Sequence, residues 1–195
     1  DEKLEKYQGL KIVTVSGINP TKGLEYFIEM ASKLVLTYDN LYFFIAGSNF
    51  KSQKKYFKKL MSIVESSNLT RNNLKFIGMI DNVPSFLKSG DIFVCTSISE
   101  TGPMAVWEAM SMSKAIVTSN VGSVSKYLVD GDSGFIVPPK NSDELIKKVK
   151  ILLDDKVLRK KMGSKVRSIV KKKLDTSIAA KKYADFYREI LSKTY

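Results

Sequence analysis

Lys22, Glu100 and Glu108 stand where a charge is awkward unless a ligand shares it. Lys22 closes the loop Gly17-Ile18-Asn19-Pro20-Thr21-Lys22, ahead of Gly23 and a helical pattern. A lysine at a helix N-terminus opposes the positive end of the dipole; an anion bound there reverses the sign and can use both the lysine and the free N–H groups. Lys22 is also one of 28 lysines, so placement by chance stands as an equal alternative. Glu100 and Glu108 belong to the densest segment, Ser97-Ile98-Ser99-Glu100-Thr101-Gly102-Pro103-Met104-Ala105-Val106-Trp107-Glu108-Ala109-Met110. Gly102 permits an unusual turn, and Pro103 fits the first helical position, where its missing N–H costs nothing. The amides of Met104 and Ala105 then point free toward an anion such as a diphosphate. Glu100 falls in the loop before this helix and Glu108 just over one turn inside it. Two carboxylates so placed suit a hydroxyl-rich ligand, because each accepts two or more O–H hydrogen bonds. A solvent-facing Glu108 is the competing reading, and the apolar neighbours Ala105, Val106, Trp107, Ala109 and Met110 weigh against it.

Other chemistries are closed off by composition. The sequence has no histidine and a single cysteine, Cys95, which excludes imidazole catalysis, a disulfide framework and a multi-cysteine zinc site. No two glycines have G-x-G spacing, and the Lys22-Gly23 order is not that of a P-loop. Asp130-Gly131-Asp132 resembles a metal clamp only superficially; it reads as a tight turn before the run Gly134–Val137. The net charge is +12, carried by 28 Lys and 4 Arg. That balance disfavours base readout by arginine forks, and no exposed aromatic–basic interleaving is expected, so nucleic acid is not the expected partner. Lys147 to Lys173 read as solvated helix faces, with attraction to anionic lipid as the sharper alternative. No apolar run is long enough to cross a bilayer. The start at Asp1 suggests a domain whose N-terminal neighbour lies outside this sequence, and a reduced, cytoplasmic setting fits, with a peripheral membrane contact as an extension of it.

These residues need a scaffold that brings distant loops together. Leu10–Ser16, Leu41–Ala46, Leu74–Ile77, Asp91–Thr96, Ala115–Thr118 and Gly134–Val137 are short apolar runs that read as strands. Helical patterns follow most of them, over 24–35, 53–65, 84–88 and 104–112. Continuous apolar strands alternating with helices predict an α/β fold, a doubly wound, Rossmann-like parallel sheet of about six strands. Both charged loops then fall at the carboxyl ends of strands, the ligand edge of such a sheet. From Asn141 onward the pattern is helical only, opened by a capping box at Asn141–Glu144. Residues 1–9 read as an entry segment and 10–195 as one domain.

The run E-T-G-P-M-A-V-W-E-A-M at 100–110 resembles the E-x7-E motif of retaining glycosyltransferases of the GT-B fold, family 4. N-P-T-K-G at 19–23 resembles that family's phosphate loop, and F-I-G-M-I-D at 76–81 its base-packing segment. The stretch 121–139, ending G-F-I-V-P-P, is similar to the part that follows E-x7-E. The resemblance implies the C-terminal, donor-binding half of a two-domain enzyme of polysaccharide or glycolipid assembly, its acceptor half absent and the isolated domain inactive. Its implied partner is a nucleoside-diphosphate sugar, with no metal and no other cofactor. Lys22 would hold the diphosphate, assisted by the amides near Met104 and Ala105 beside Gly102 and Pro103. Glu100 would contact the transferred sugar, Glu108 the ribose hydroxyls, and Ile80 would border the base. The family usually has arginine where this sequence has Gly17, and an acidic residue where it has Lys126. The Gly17 departure motivates a degenerate, binding-only module as the alternative; another GT-B enzyme, such as an epimerase, and a basic nucleic-acid-binding domain stand further off.

Overall fold

The computed structural model describes residues 2–48 and 51–193. Among them, β1 (Leu10–Val15), β2 (Leu41–Ala46), β3 (Leu74–Gly78), β4 (Ile92–Cys95), β5 (Ala115–Ser119) and β6 (Phe135–Val137) form one sheet. The order is β3-β2-β1-β4-β5-β6 and every neighbouring pair is parallel. This is the expected doubly wound α/β fold. Successive residues of each strand point to opposite faces, so an unbroken apolar run fills two cores at once. Ile12, Phe43, Ile45, Val94 and Val117 face one core, while Val13, Phe44, Ala46, Phe93 and Ile116 face the other.

The first core is covered by α2 (Leu24–Leu34), α3 (Lys54–Glu65) and α7 (Ser142–Asp154). The second lies under α4 (Val83–Ser89), α5 (Met104–Ser111), α6 (Val124–Tyr127) and α8 (Lys156–Lys173). Within the first nine residues, Glu2–Glu5 form α1, Leu4 is fully buried, and Tyr7 lies 4.9 Å from the Tyr42 ring and 5.1 Å from Phe44. The Asn141 side chain caps α7 as expected, accepting from the Glu144 amide at 2.9 Å. Glu144 does not close the box; its carboxylate pairs with Lys147 and Lys148 along the helix instead.

The last helix, α9 (Thr176–Lys193), has no buried residue and exposes Tyr183, Phe186 and Tyr187 among Lys181, Lys182 and Arg188. Aromatic and basic side chains therefore do interleave on one exposed helix, contrary to the sequence expectation. Aromatic residues at helical spacing ordinarily face inward, and none of these is covered. Among the described residues, no helix is long and apolar enough to cross a membrane.

For the site, one topological fact matters most. β1 and β4 are neighbours, yet the chain leaves β1 toward β2 and leaves β4 toward β5. Connections that depart in opposite directions open a crevice at the carboxyl ends of the two central strands.

Candidate functional site

Two loops wall that crevice. After β1 the Asn19 side chain accepts from the Thr21 amide at 2.9 Å and starts a single 3-10 turn, Pro20–Lys22. Gly23 ends the turn in the left-handed region at φ 58°, and a Cβ there would stand 2.4 Å from the Thr96 carbonyl oxygen. The close approach lets the loop after β4 zip onto this turn. The Thr96 hydroxyl donates to the Lys22 carbonyl at 3.0 Å, and the Ile98 amide to the Thr21 carbonyl at 2.7 Å. Backbone contacts therefore place Lys22 at the mouth of the crevice.

The Lys22 ammonium is ion-paired with Oε1 of Glu100, with side-chain exposures of 31% and 16%. The Ser97 hydroxyl donates to the same oxygen at 3.0 Å. Glu100 is also gripped through its backbone. Gly122 (φ 53°) presses on this loop so closely that a Cβ would come within 2.3 Å of the Thr101 carbonyl oxygen and 2.8 Å of that of Glu100. The Ser123 amide, next in the chain, donates to the Thr101 carbonyl at 3.2 Å.

α5 then runs away from the crevice. Pro103 is its N-cap rather than its first helical residue: at ψ 90° its backbone is extended, and its carbonyl accepts from the Val106 and Trp107 amides at 2.9 and 3.4 Å. The expected consequence holds, since the Met104 and Ala105 amides have no acceptor within the helix. Gly102 does not use left-handed freedom, and a Cβ there would find its nearest neighbours, Ser123 Oγ and Trp107 Nε1, at 3.9 Å. Gly23 and Gly122, by contrast, combine left-handed backbone with close approach to a neighbouring carbonyl.

At the start of α2 the expectation of free amides is corrected. Gly23 offers no capping side chain, and the Tyr56 hydroxyl of α3 takes that role, accepting from the Leu24 amide at 3.1 Å while donating to Glu25. Burial, and then the Glu25 carboxylate, push the phenol well above its ordinary range. Burial alone would raise Glu25, but the Tyr56 hydroxyl, its own backbone amide and Lys59 outweigh it and hold that carboxyl low. Among the described residues, the helix-terminal amides left without a partner at this site are those of Met104 and Ala105 in α5.

The resulting cleft has a volume of about 180 Å³. Lys22, Glu100, Gly102, Pro103, Met104 and Ala105, all singled out from the sequence, line it together with Thr14, Val15, Ser16, Cys95, Thr96 and Ser97. Gly17 directly follows its rim residue Ser16. Two further candidates lie outside the lining. Ile80 is half-buried, packed against the edge of the second core. Glu108 sits deeper along α5, partly buried and without a hydrogen-bonding partner for its carboxylate among the described residues; burial raises its pKa above the ordinary carboxylate value. Ser97, Tyr56 and Gly122 were not singled out from the sequence. A glycine within a turn was a visible signal for Gly122, whereas nothing local marks Tyr56, whose role depends on a helix thirty residues from the one it caps. The Asp130–Ser133 turn behaves as expected: Asp130 accepts from the Ile136 amide at 2.9 Å and Asp132 pairs with Lys165.

A sequence-family model described as "Glycosyl transferases group 1" matches residues 1–169. The chain belongs to the group 1 glycosyl transferases. A relative in that family, the alpha-D-kanosaminyltransferase of Streptomyces kanamyceticus, is 30% identical over 181 residues, covering 92% of this chain and 45% of the relative. The chain thus spans about half the length of the curated relatives it matches. The solved C-terminal domain of a group 1 glycosyl transferase from Francisella tularensis superposes with a TM-score of 0.80 at 28% identity, covering 89% of this chain and 90% of that one. S. aureus TarM, solved as a point mutant in complex with fondaparinux, alpha-GlcNAc-glycerol and UDP, gives a TM-score of 0.80 at 25% identity. The match covers 93% of this chain and 36% of TarM. The group 1 relationship and the GT-B type of fold implied by the motifs are thereby established.

Proposed function

We propose that this domain binds the nucleoside-diphosphate sugar donor of a retaining glycosyltransferase acting in cell-surface polysaccharide or glycolipid synthesis. The observation that carries the reading is the convergence of one cation, one carboxylate and two free helix-terminal amides on a single cleft at the switch point. The diphosphate takes the Lys22 ammonium and the Met104 and Ala105 amides, where the α5 dipole favours negative charge. Glu100, released from Lys22 as the phosphate takes over the cation, accepts hydroxyls of the sugar. Glu108, a partly buried carboxylate lacking a protein partner among the described residues, accepts the ribose hydroxyls, and Ile80 borders the base. UDP bound to TarM is in keeping with this class of ligand.

In the transfer step the bond between the anomeric carbon and the diphosphate oxygen breaks as an acceptor hydroxyl attacks from the same face, and its proton leaves with the diphosphate. Lys22 and the α5 amides stabilise the charge that develops on the leaving group, which removes the need for a metal. The acceptor half of the enzyme supplies the other wall of the cleft, so the isolated domain binds donor without transferring sugar. Gly17 favours a second reading, a binding-only module, because the usual arginine clamp is missing. Sustained sugar transfer by the whole enzyme excludes that second reading. Amide chemical shifts of this chain titrated with UDP, GDP and ADP test the site itself. The proposal expects changes at Ser16, Lys22, Met104 and Ala105, and changes confined to other surfaces contradict it.

A further inference from the structure

Glu100 carries two hydrogen bonds on one oxygen, and they respond differently to a ligand. Oε1 accepts from both Lys22 Nζ and Ser97 Oγ. When a diphosphate takes the ammonium, the first of these is weakened or lost, and Ser97 is the side chain left to hold the carboxylate. Ser97 is built for that task. It is 3% exposed, it lies two residues past the end of β4, and its oxygen is 3.5 Å from the Cys95 thiol, a weak donor, which leaves the serine hydroxyl proton for Glu100. Among the described residues both bonds fall on Oε1, which leaves Oε2 to a hydroxyl-bearing ligand.

We infer that Ser97 is a positioning residue for donor-sugar recognition: it locks the Glu100 carboxylate in place once the donor diphosphate has drawn Lys22 away. The inference rests on the reading of Glu100 as the sugar-facing carboxylate. It separates Ser97 from the rest of the cradle, because the diphosphate contacts of Lys22 and α5 do not pass through Glu100.

The test is a double-mutant cycle on the 195-residue chain with Ser97→Ala and Glu100→Gln. The probes are UDP, GDP and ADP, each against its glucose, galactose, mannose and N-acetylglucosamine esters, followed by calorimetry. For the sugar nucleotide that wild type prefers, Ser97→Ala weakens binding about tenfold, the loss of one hydrogen bond to a charged group. The bare nucleoside diphosphate is unaffected. In the Glu100→Gln background, where a neutral amide oxygen replaces the carboxylate acceptor, Ser97→Ala costs clearly less than in wild type. Equal weakening of the bare nucleotide, or additive losses in the cycle, overturns the positioning role. Melting curves of the variants separate a folding defect, which would shift all ligands alike. Failure of wild type to bind any nucleotide strikes the site reading itself and is seen before any variant is made. A wild type that binds a nucleotide but gains nothing from any sugar contradicts the placement of Glu100.

Discussion

Replacing Glu108 with glutamine should tighten the fold and loosen the ligand at once. The carboxylate is partly buried without a protein hydrogen-bonding partner among the described residues, and burial raises its pKa. An acid whose folded-state pKa lies above its unfolded value contributes stability that is present below the unfolded value and lost as pH rises through the folded one. At neutral pH the charged side chain is therefore a liability, and Glu108→Gln should melt at or above wild type. Binding moves the other way. A ribose hydroxyl donating to a carboxylate contributes about 1.5–3 kcal/mol and to a neutral acceptor about 0.5–1.5, so each bond weakens by about 1–1.5 kcal/mol. One or two such bonds amount to roughly 10–100-fold in Kd. Hydrogen bonds to the charged form also lower its pKa in the complex, so wild-type affinity should fall as pH drops through the raised free-state value. The variant should lack that slope. Calorimetric titration across acidic to neutral pH, paired with thermal melts, reads all three effects. Equal affinity and equal pH slopes in the two proteins would remove Glu108 from the ribose site.

Three other perturbations bear on the scaffold and the cradle. Gly17→Arg suits the backbone, since the residue is not left-handed and, among the described residues, a Cβ would meet only the Ser48 carbonyl oxygen, at 4.0 Å; a new phosphate contact should tighten nucleoside diphosphate binding by about 1.5–3 kcal/mol, and an unchanged Kd argues against this position facing the phosphates. Tyr56→Phe strands the Leu24 amide and removes a donor from Glu25, so chemical denaturation should show a loss of about 1–3 kcal/mol. Gly23→Ala combines left-handed strain with a backbone clash and should lower the melting temperature and weaken nucleotide binding together, whereas a variant as stable as wild type would contradict the close packing against Thr96.

The strands were legible because each is an apolar run long enough to span the sheet and short enough not to be a helix. Asp91–Thr96 and Ala115–Thr118 needed no tertiary information to be placed. The two charged loops were legible for a related reason, since a parallel sheet sends every strand-to-helix loop to the same edge. What escaped were side chains whose role comes from a partner distant in sequence. Tyr56 caps α2 from α3, and Gly122 pins Glu100 from a turn after β5. Ser97 lies in the motif itself, yet its bond to Glu100 depends on the loop's curl, which residue types alone do not encode. α6 escaped because a four-residue helix carries no periodic signal. Pro103 shows the limit of propensity, since it suits either the first helical position or the cap, and the loop geometry chose the cap.

Everything proposed for this cleft depends on its holding a nucleoside diphosphate without metal. Calorimetric titration of the wild-type chain with UDP, GDP and ADP in the presence of a chelator tests that directly. Saturable binding of one of the three is the expected outcome. No binding of any, with the chain folded throughout, would contradict it.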